Sequence, residues 1–240
     1  MSSAKTAMRY SRLVDICTGF GGKYNPGRQT LQLKAMRALL KEAQSSLQDV
    51  SLKTNAYYAL VNDRENAFAD VKPLASKIVF TLKALAMSEA TLDDARFHLR
   101  IISGRTKSQR QAVPSTEADQ QPVVARSRTQ QSFTAIADHF AQLVNMVTNL
   151  PGYVTNEEEL KPEQLAVKAA LLKTKNDEVS KARLARTVTI QHRDKVLYKD
   201  AVSLVNNANR VKSYVRVLYG PGSAEFGQVK ELSFTKPKLR

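Results

Sequence analysis

The sequence predicts an all-α protein: two tandem copies of a helical unit, each with one long helix, packed as a helical bundle. Three observations predict it. Glycine is sparse, 9 in 240 residues, which leaves few turn residues for a many-stranded fold. Neither Gly nor Pro occurs between Gly27 and Pro73, and apolar residues there recur at the 3- and 4-residue steps of one helix face. The chain also matches itself. Tyr10, Leu13, Val14, Cys17, Thr18 and Phe20 align with Phe140, Leu143, Val144, Val147, Thr148 and Leu150, each pair 130 positions apart. Ala38-Leu39-Leu40-Lys41 aligns with Ala170-Leu171-Leu172-Lys173 at an offset of 132. Val71, Ala75, Ile78, Leu82 and Leu85 align with Leu204, Ala208, Val211, Val215 and Leu218 at 133. Small insertions near loops account for the drift. The matches divide the chain into a helical repeat over 1–103, a polar linker over 104–130, a second repeat over 131–234 and a basic tail over 235–240.

Each copy reads as four helices. The first spans about residues 7–18, and again about 131–150, where Phe133, Ile136, Phe140, Leu143, Val147 and Leu150 form one stripe. Gly19, Gly21 and Gly22 stop it in the first copy, Pro151-Gly152 in the second. The second helix is long. Leu33, Met36, Leu40, Ala43, Leu47, Val50, Thr54, Tyr57, Val61, Arg64 and Phe68 hold a heptad-like seam, which implies a helix of about 35–40 residues, on the order of 55 Å. A helix of that length needs another long helix to pack against. Its counterpart, about 162–198, has a seam interrupted by Lys and Arg and exposes more of its surface. The third helices span about 73–87 and 203–219, Pro73 fitting a first turn. Thr91-Leu92-Asp93-Asp94 reads as a capping box for the fourth helix, and Ser223 plays that role in the second copy. Residues 104–129 have no apolar period, and Pro114 and Pro122 break them, so they read as a connecting segment.

The lone Cys17 has no internal disulfide partner. On an apolar stripe it reads as a small buried hydrophobe. The N-terminal residues carry no apolar signal region, and no run approaches the roughly 18 apolar residues of a membrane span. The expectation is a cytoplasmic protein without membrane insertion.

Nothing in the sequence singles out a catalytic, cofactor or metal site. Gly19-Phe20-Gly21-Gly22-Lys23 lacks the phosphate-loop spacing and follows a helix instead of a strand. His98, His139 and His192 are far apart in sequence, with no second ligand at helical spacing. Glu157-Glu158-Glu159 precede a helix start, where carboxylates answer the helix dipole.

Charge carries more information. Of the net +15, residues 1–60 hold +6 and residues 181–240 hold +9. Arg183, Arg186 and Arg193 share a helix face, and Arg210, Lys212 and Arg216 follow among Tyr214, Tyr219 and Phe234. Basic groups with aromatics are the material of nucleic-acid binding, where cations displace counterions from phosphates. A solvated basic face is the other reading of the same residues.

Tyr214-Val215, then Gly220, Gly222 and Ser223, then Gln228-Val229, then Phe234 ahead of Lys236-Pro237 form an ordered ending, and Tyr24-Asn25-Pro26 precedes the long helix. In these motifs the chain resembles a group of internally duplicated all-helical bacterial proteins of unknown function. The resemblance implies the architecture and no activity. The sequence therefore leads to a non-enzymatic helical scaffold or interaction protein with a protein partner or self-association and no small-molecule substrate. The alternative is sequence-nonspecific nucleic-acid or polyanion binding through the basic C-terminal surface.

Overall fold

The computed structural model describes residues 2–104 and 132–237. All regular structure among them is helical: α1 (Ser3–Gly19), α2 (Leu33–Phe68), α3 (Val71–Ala84), α4 (Glu89–Ile102), α5 (Phe133–Thr148), α6 (Pro162–Asp194), α7 (Leu204–Tyr219) and α8 (Ala224–Lys230). The polar linker beyond Gly104 and tail residues 238–240 lie outside the described residues. No described helix is long and apolar enough to cross a membrane.

The chain packs as two compact units. Unit 1 takes residues 1–58 and 181–240, and unit 2 takes residues 59–180. The boundaries fall inside α2 and α6. The units thus cut across the sequence segments 1–103 and 131–234, each unit drawing on both.

In unit 1, α1 buries Thr6, Ala7, Tyr10, Leu13, Val14 and Cys17. Their 3- and 4-residue spacing makes one stripe. It joins a core with Leu204, Val205, Ala208, Val211 and Val215 of α7, Val229 of α8, and Leu232 and Phe234 of the extended segment that follows. Gly220 ends α7 at φ +90°, a conformation that favours glycine. Met36 and Ala43 close the core from α2. A polar chain runs through it: the Tyr10 hydroxyl donates to Asn207 Oδ1 at 2.7 Å, and Asn207 Nδ2 donates to the Thr30 carbonyl at 2.6 Å. Buried polar groups are tolerated when satisfied in this way. At its C-terminal end α6 widens into a π-helical turn over Lys195–Lys199, with Val196, Leu197 and Tyr198 all buried. Three consecutive buried residues do not fit one face of an α-helix, and the wider turn accommodates them.

In unit 2 the core is apolar throughout. Phe140, Leu143, Val144 and Val147 of α5 meet Val71, Leu74, Ala75, Ile78 and Leu82 of α3, Leu92, Ala95 and Ile102 of α4, and Leu165 and Leu172 of α6. Ser88 caps α4 by accepting from the Thr91 amide, so the helix starts three residues ahead of the capping box read in the sequence. Ser223 caps α8 as expected, accepting from Phe226 N at 3.1 Å.

The seam read along α2 is its inward stripe. Met36, Ala43 and Phe68 are buried, the other seam residues are half-buried, and nearly all of the remaining helix surface is exposed. Its partner is not one facing apolar helix. The two long helices meet through polar side chains: Lys168 with Asp70 and Lys175 with Asp63 in unit 2, and Arg186 with Thr54 in unit 1.

Candidate functional site

The two units divide the chain's charge unequally. By sequence, unit 1 holds 22 Lys and Arg against 7 Asp and Glu, a net +15, whereas unit 2 holds 15 against 15. The pairing differs as well. In unit 2, Lys77, Arg96, Lys161, Lys168 and Lys175 all make ion pairs. In unit 1, Arg9 apart, Arg193 is the one described cation so engaged, with Asp194 at 2.6 Å. Exposed pairs contribute little individually. Concentrated unpaired charge instead destabilises the compact state and draws anions.

The structure sends the six cations singled out in the sequence to different tasks. Arg183 is exposed. Arg186 is half-buried, donating from Nε to Thr54 Oγ1 at 3.1 Å and lying over the Tyr57 ring at 5.5 Å. Arg193 is half-buried against Asp194. Arg210 donates to the Ala201 carbonyl at 2.9 Å, satisfying backbone ahead of α7. Lys212 donates to the carbonyls of Leu232 at 2.9 Å and Lys230 at 3.2 Å, and burial pushes its ammonium below the ordinary lysine value. Arg216 is exposed, with its guanidinium 6.0 Å from the Phe226 ring centroid. Four of the six thus have side-chain hydrogen bonds within the fold. Sequence spacing places Arg183, Arg186 and Arg193 on one helix side; a tertiary contact commits Arg186, and the adjacent Asp194 engages Arg193.

Unit 2 holds a constellation that sequence spacing does not show. His98 of α4 and His139 of α5, 41 positions apart, face each other with Nδ1 atoms at 3.0 Å. Phe97 meets both rings edge-on at 5.4 and 5.9 Å. One Nδ1 donates and the other accepts, so the contact requires opposite tautomers. Burial first, then the neighbouring His139, pushes His98 below its ordinary value, against an upward pull from Asp94. The only clue in the sequence is that each histidine adjoins an apolar face. Among the described residues no group of three or more His, Cys, Asp or Glu gathers as metal ligands.

Also in unit 2, an open groove of about 590 Å³ runs between α3 and residues 154–160, beside exposed Phe80 and Val154 and the Lys77–Glu159 pair. Two of the carboxylates ahead of α6 bond locally, Glu157 to Thr155 and Glu158 to Lys161, and Glu159 reaches Lys77 of α3. In unit 1, burial pushes the Cys17 thiol up to about 12, outweighing a small downward pull from Tyr24. A thiol so protonated is a poor nucleophile or metal ligand.

Comparison with protein-family models, curated proteins and solved structures finds no match to this chain.

Proposed function

We propose that this chain is a non-enzymatic helical scaffold or interaction protein, built as an internal duplication whose halves are exchanged between the two units. The observation that carries the interaction reading is on α6. It presents two outward apolar pairs at i, i+4 spacing: Val167 with Leu171, and Leu184 with Val188, exposed by 64, 40, 66 and 55%. Val167 with Leu171 belongs to unit 2 and Leu184 with Val188 to unit 1, so each unit carries an exposed apolar pair of the kind that helix-recognising partners use as anchors. Affinity capture from the native cell, with and without nuclease, compared with Leu184→Asp and Val167→Asp variants, tests this. A protein that survives nuclease and is lost with the variants supports the reading. Capture unaffected by both substitutions overturns it.

Matching burial and hydrogen bonds support the duplication. Thr18 and Thr148 each donate to the carbonyl four residues back, on Val14 and Val144. Tyr24 and Tyr153 each donate to a Leu carbonyl seven residues on, at 2.8 and 3.1 Å. Buried Met36, Ala43 and Phe68 correspond to buried Leu165, Leu172 and Leu197 at an offset of 129. Burial therefore favours this register along the long helices over the offset of 132 read from Ala38–Lys41. The offset becomes 133 at Val71 and Leu204, so four residues enter around the π-helical turn. In this reading unit 1 combines the first half of copy one with the second half of copy two, and unit 2 the reverse.

A second reading, sequence-nonspecific polyanion binding, is favoured by the concentration of unpaired positive charge in unit 1. Its test is salt-dependent binding of nucleic acid.

A further inference from the structure

We propose that the face of unit 1 formed by α1, α8 and the extended C-terminal segment Glu231–Pro237 is a phosphodiester-binding surface, with Lys5, Arg12, Lys230 and Lys236 as the phosphate contacts. The inference rests on the polyanion reading and moves its site away from the arginines of α6.

Helix geometry supplies the first part of this face. Lys5, Arg9 and Arg12 follow at steps of 4 and 3, so they line one side of α1, away from the stripe that Tyr10, Leu13, Val14 and Cys17 bury. Lys5 and Arg12 are exposed. Their seven-residue separation is about 10 Å along the axis, a length over which one duplex strand presents about three phosphates.

The C-terminal segment supplies the second part, and main-chain bonds fix it there. Leu232 and Phe234 alternate into the core, and the Phe234 ring meets Tyr10 edge-on at 6.5 Å. Arg9 Nη1 donates to the Ser233 carbonyl at 3.0 Å, and Lys212 holds the carbonyls of Lys230 and Leu232. Arg9 and Lys212 therefore act as clamps. Lys230, the last residue of α8, and Lys236, on the clamped segment, are both exposed. Lys5, Arg12, Lys230 and Lys236 make no side-chain hydrogen bond or ion pair among the described residues. The carboxylates on these elements are Asp15, Glu225 and Glu231, all outnumbered by the cations.

The surroundings favour nucleic acid over the other polyanions. Met8 is the one large exposed apolar residue on α1, α8 and this segment. A membrane-surface helix needs an apolar face to insert, and a protein interface needs an apolar core. A cationic face without either suits a phosphate backbone, for which charge alone supplies most of nonspecific affinity.

The test uses the full chain with fluorescein-labelled 20-mer single-stranded RNA and duplex DNA, titrated by anisotropy between about 50 and 300 mM salt. The variant K5Q/R12Q/K230Q/K236Q is expected to bind at least about 10-fold more weakly at 100 mM salt. Its salt slope should fall by up to about 0.9 for each duplex phosphate left without its cation, or 0.7 for a single strand. Circular dichroism checks that it folds. Amine-acylation footprinting of the wild type, in which RNA protects Lys5, Lys230 and Lys236, tests the same surface without a substitution. If R183Q/R186Q/R193Q abolishes binding while the quadruple variant retains it, the location is overturned and the polyanion reading stands. If the wild type binds neither nucleic acid near 150 mM salt, both fall. Binding to phosphatidylserine vesicles alone overturns the choice of partner.

Discussion

Unit 1 and unit 2 build helical cores of different character. Under the proposed duplication Tyr10 occupies the place of Phe140, and Asn207 the place of Leu74. Unit 1 thus has a buried Tyr10–Asn207–Thr30 hydrogen-bond chain where unit 2 has only carbon. The surfaces diverge in the same sense. Unit 1 carries the entire net charge of the chain, and unit 2 balances and pairs its charges. In both units apolar stripes fix the helical core, and the outward positions are free to differ.

The largest effect should come from separating the two sequence halves. If each unit draws on both, residues 1–103 alone leave α1 without α7 and α8, and α3 and α4 without α5. Each half by itself should stay partly helical but lose cooperative melting. Mixing 1–103 with 132–240 should restore one sharp transition and a 1:1 complex by sedimentation. A monomeric 1–103 that melts cooperatively would break the exchanged arrangement.

The next prediction tests the polar core. Asn207→Ala strands the buried Tyr10 hydroxyl and removes the donor to Thr30, costing about 1–3 kcal/mol for each group left unsatisfied. Introducing the unit 2 pair instead, Tyr10→Phe with Asn207→Leu, should cost less than Asn207→Ala alone, since no hydroxyl is left stranded and Thr30 is half-exposed. Urea midpoints measure both. Leu74→Ala in unit 2 calibrates the comparison, at about 2–5 kcal/mol for an apolar truncation.

A smaller, pH-dependent effect belongs to unit 2. His98 titrates below its ordinary value in the folded chain. The unfolded chain then binds more protons as pH falls. The stabilisation is fully present above the unfolded value near 6.5 and is lost as pH falls through the folded one. A second proton would put N–H groups on both Nδ1 atoms at 3.0 Å. The urea midpoint should therefore drop as pH falls below about 6.5, and His139→Gln should flatten that drop. An identical profile in the variant would show that the pair does not govern it.

Salt should produce the smallest change. Screening the repulsion in unit 1 with about 0.5 M salt should stabilise it by a fraction of a kcal/mol. Unit 2, whose exposed ion pairs weaken under the same screening, should gain nothing. Hydrogen exchange of the α1 and α5 amides at two salt concentrations reads the two units separately.

By itself the sequence determined the all-α class, the extent of the long helices, the buried stripes of α1 and α5, and the inward seam of α2. Each depends on apolar residues recurring at the helical period, which is a local property of the chain. It also located the basic excess, because charge is additive. It missed the capping residue of α4 because Ser88 and Thr91 both suit a cap, and only the observed bond distinguishes them. Tertiary structure decided the rest. It brought His98 to His139 across 41 positions, drew Arg186 onto Tyr57 and Thr54, and assigned Arg9 and Lys212 to the carbonyls of the C-terminal segment. It also decided which halves share a core. Such pairings join residues distant in sequence, and helical periodicity fixes the face that a side chain occupies without naming the partner it meets.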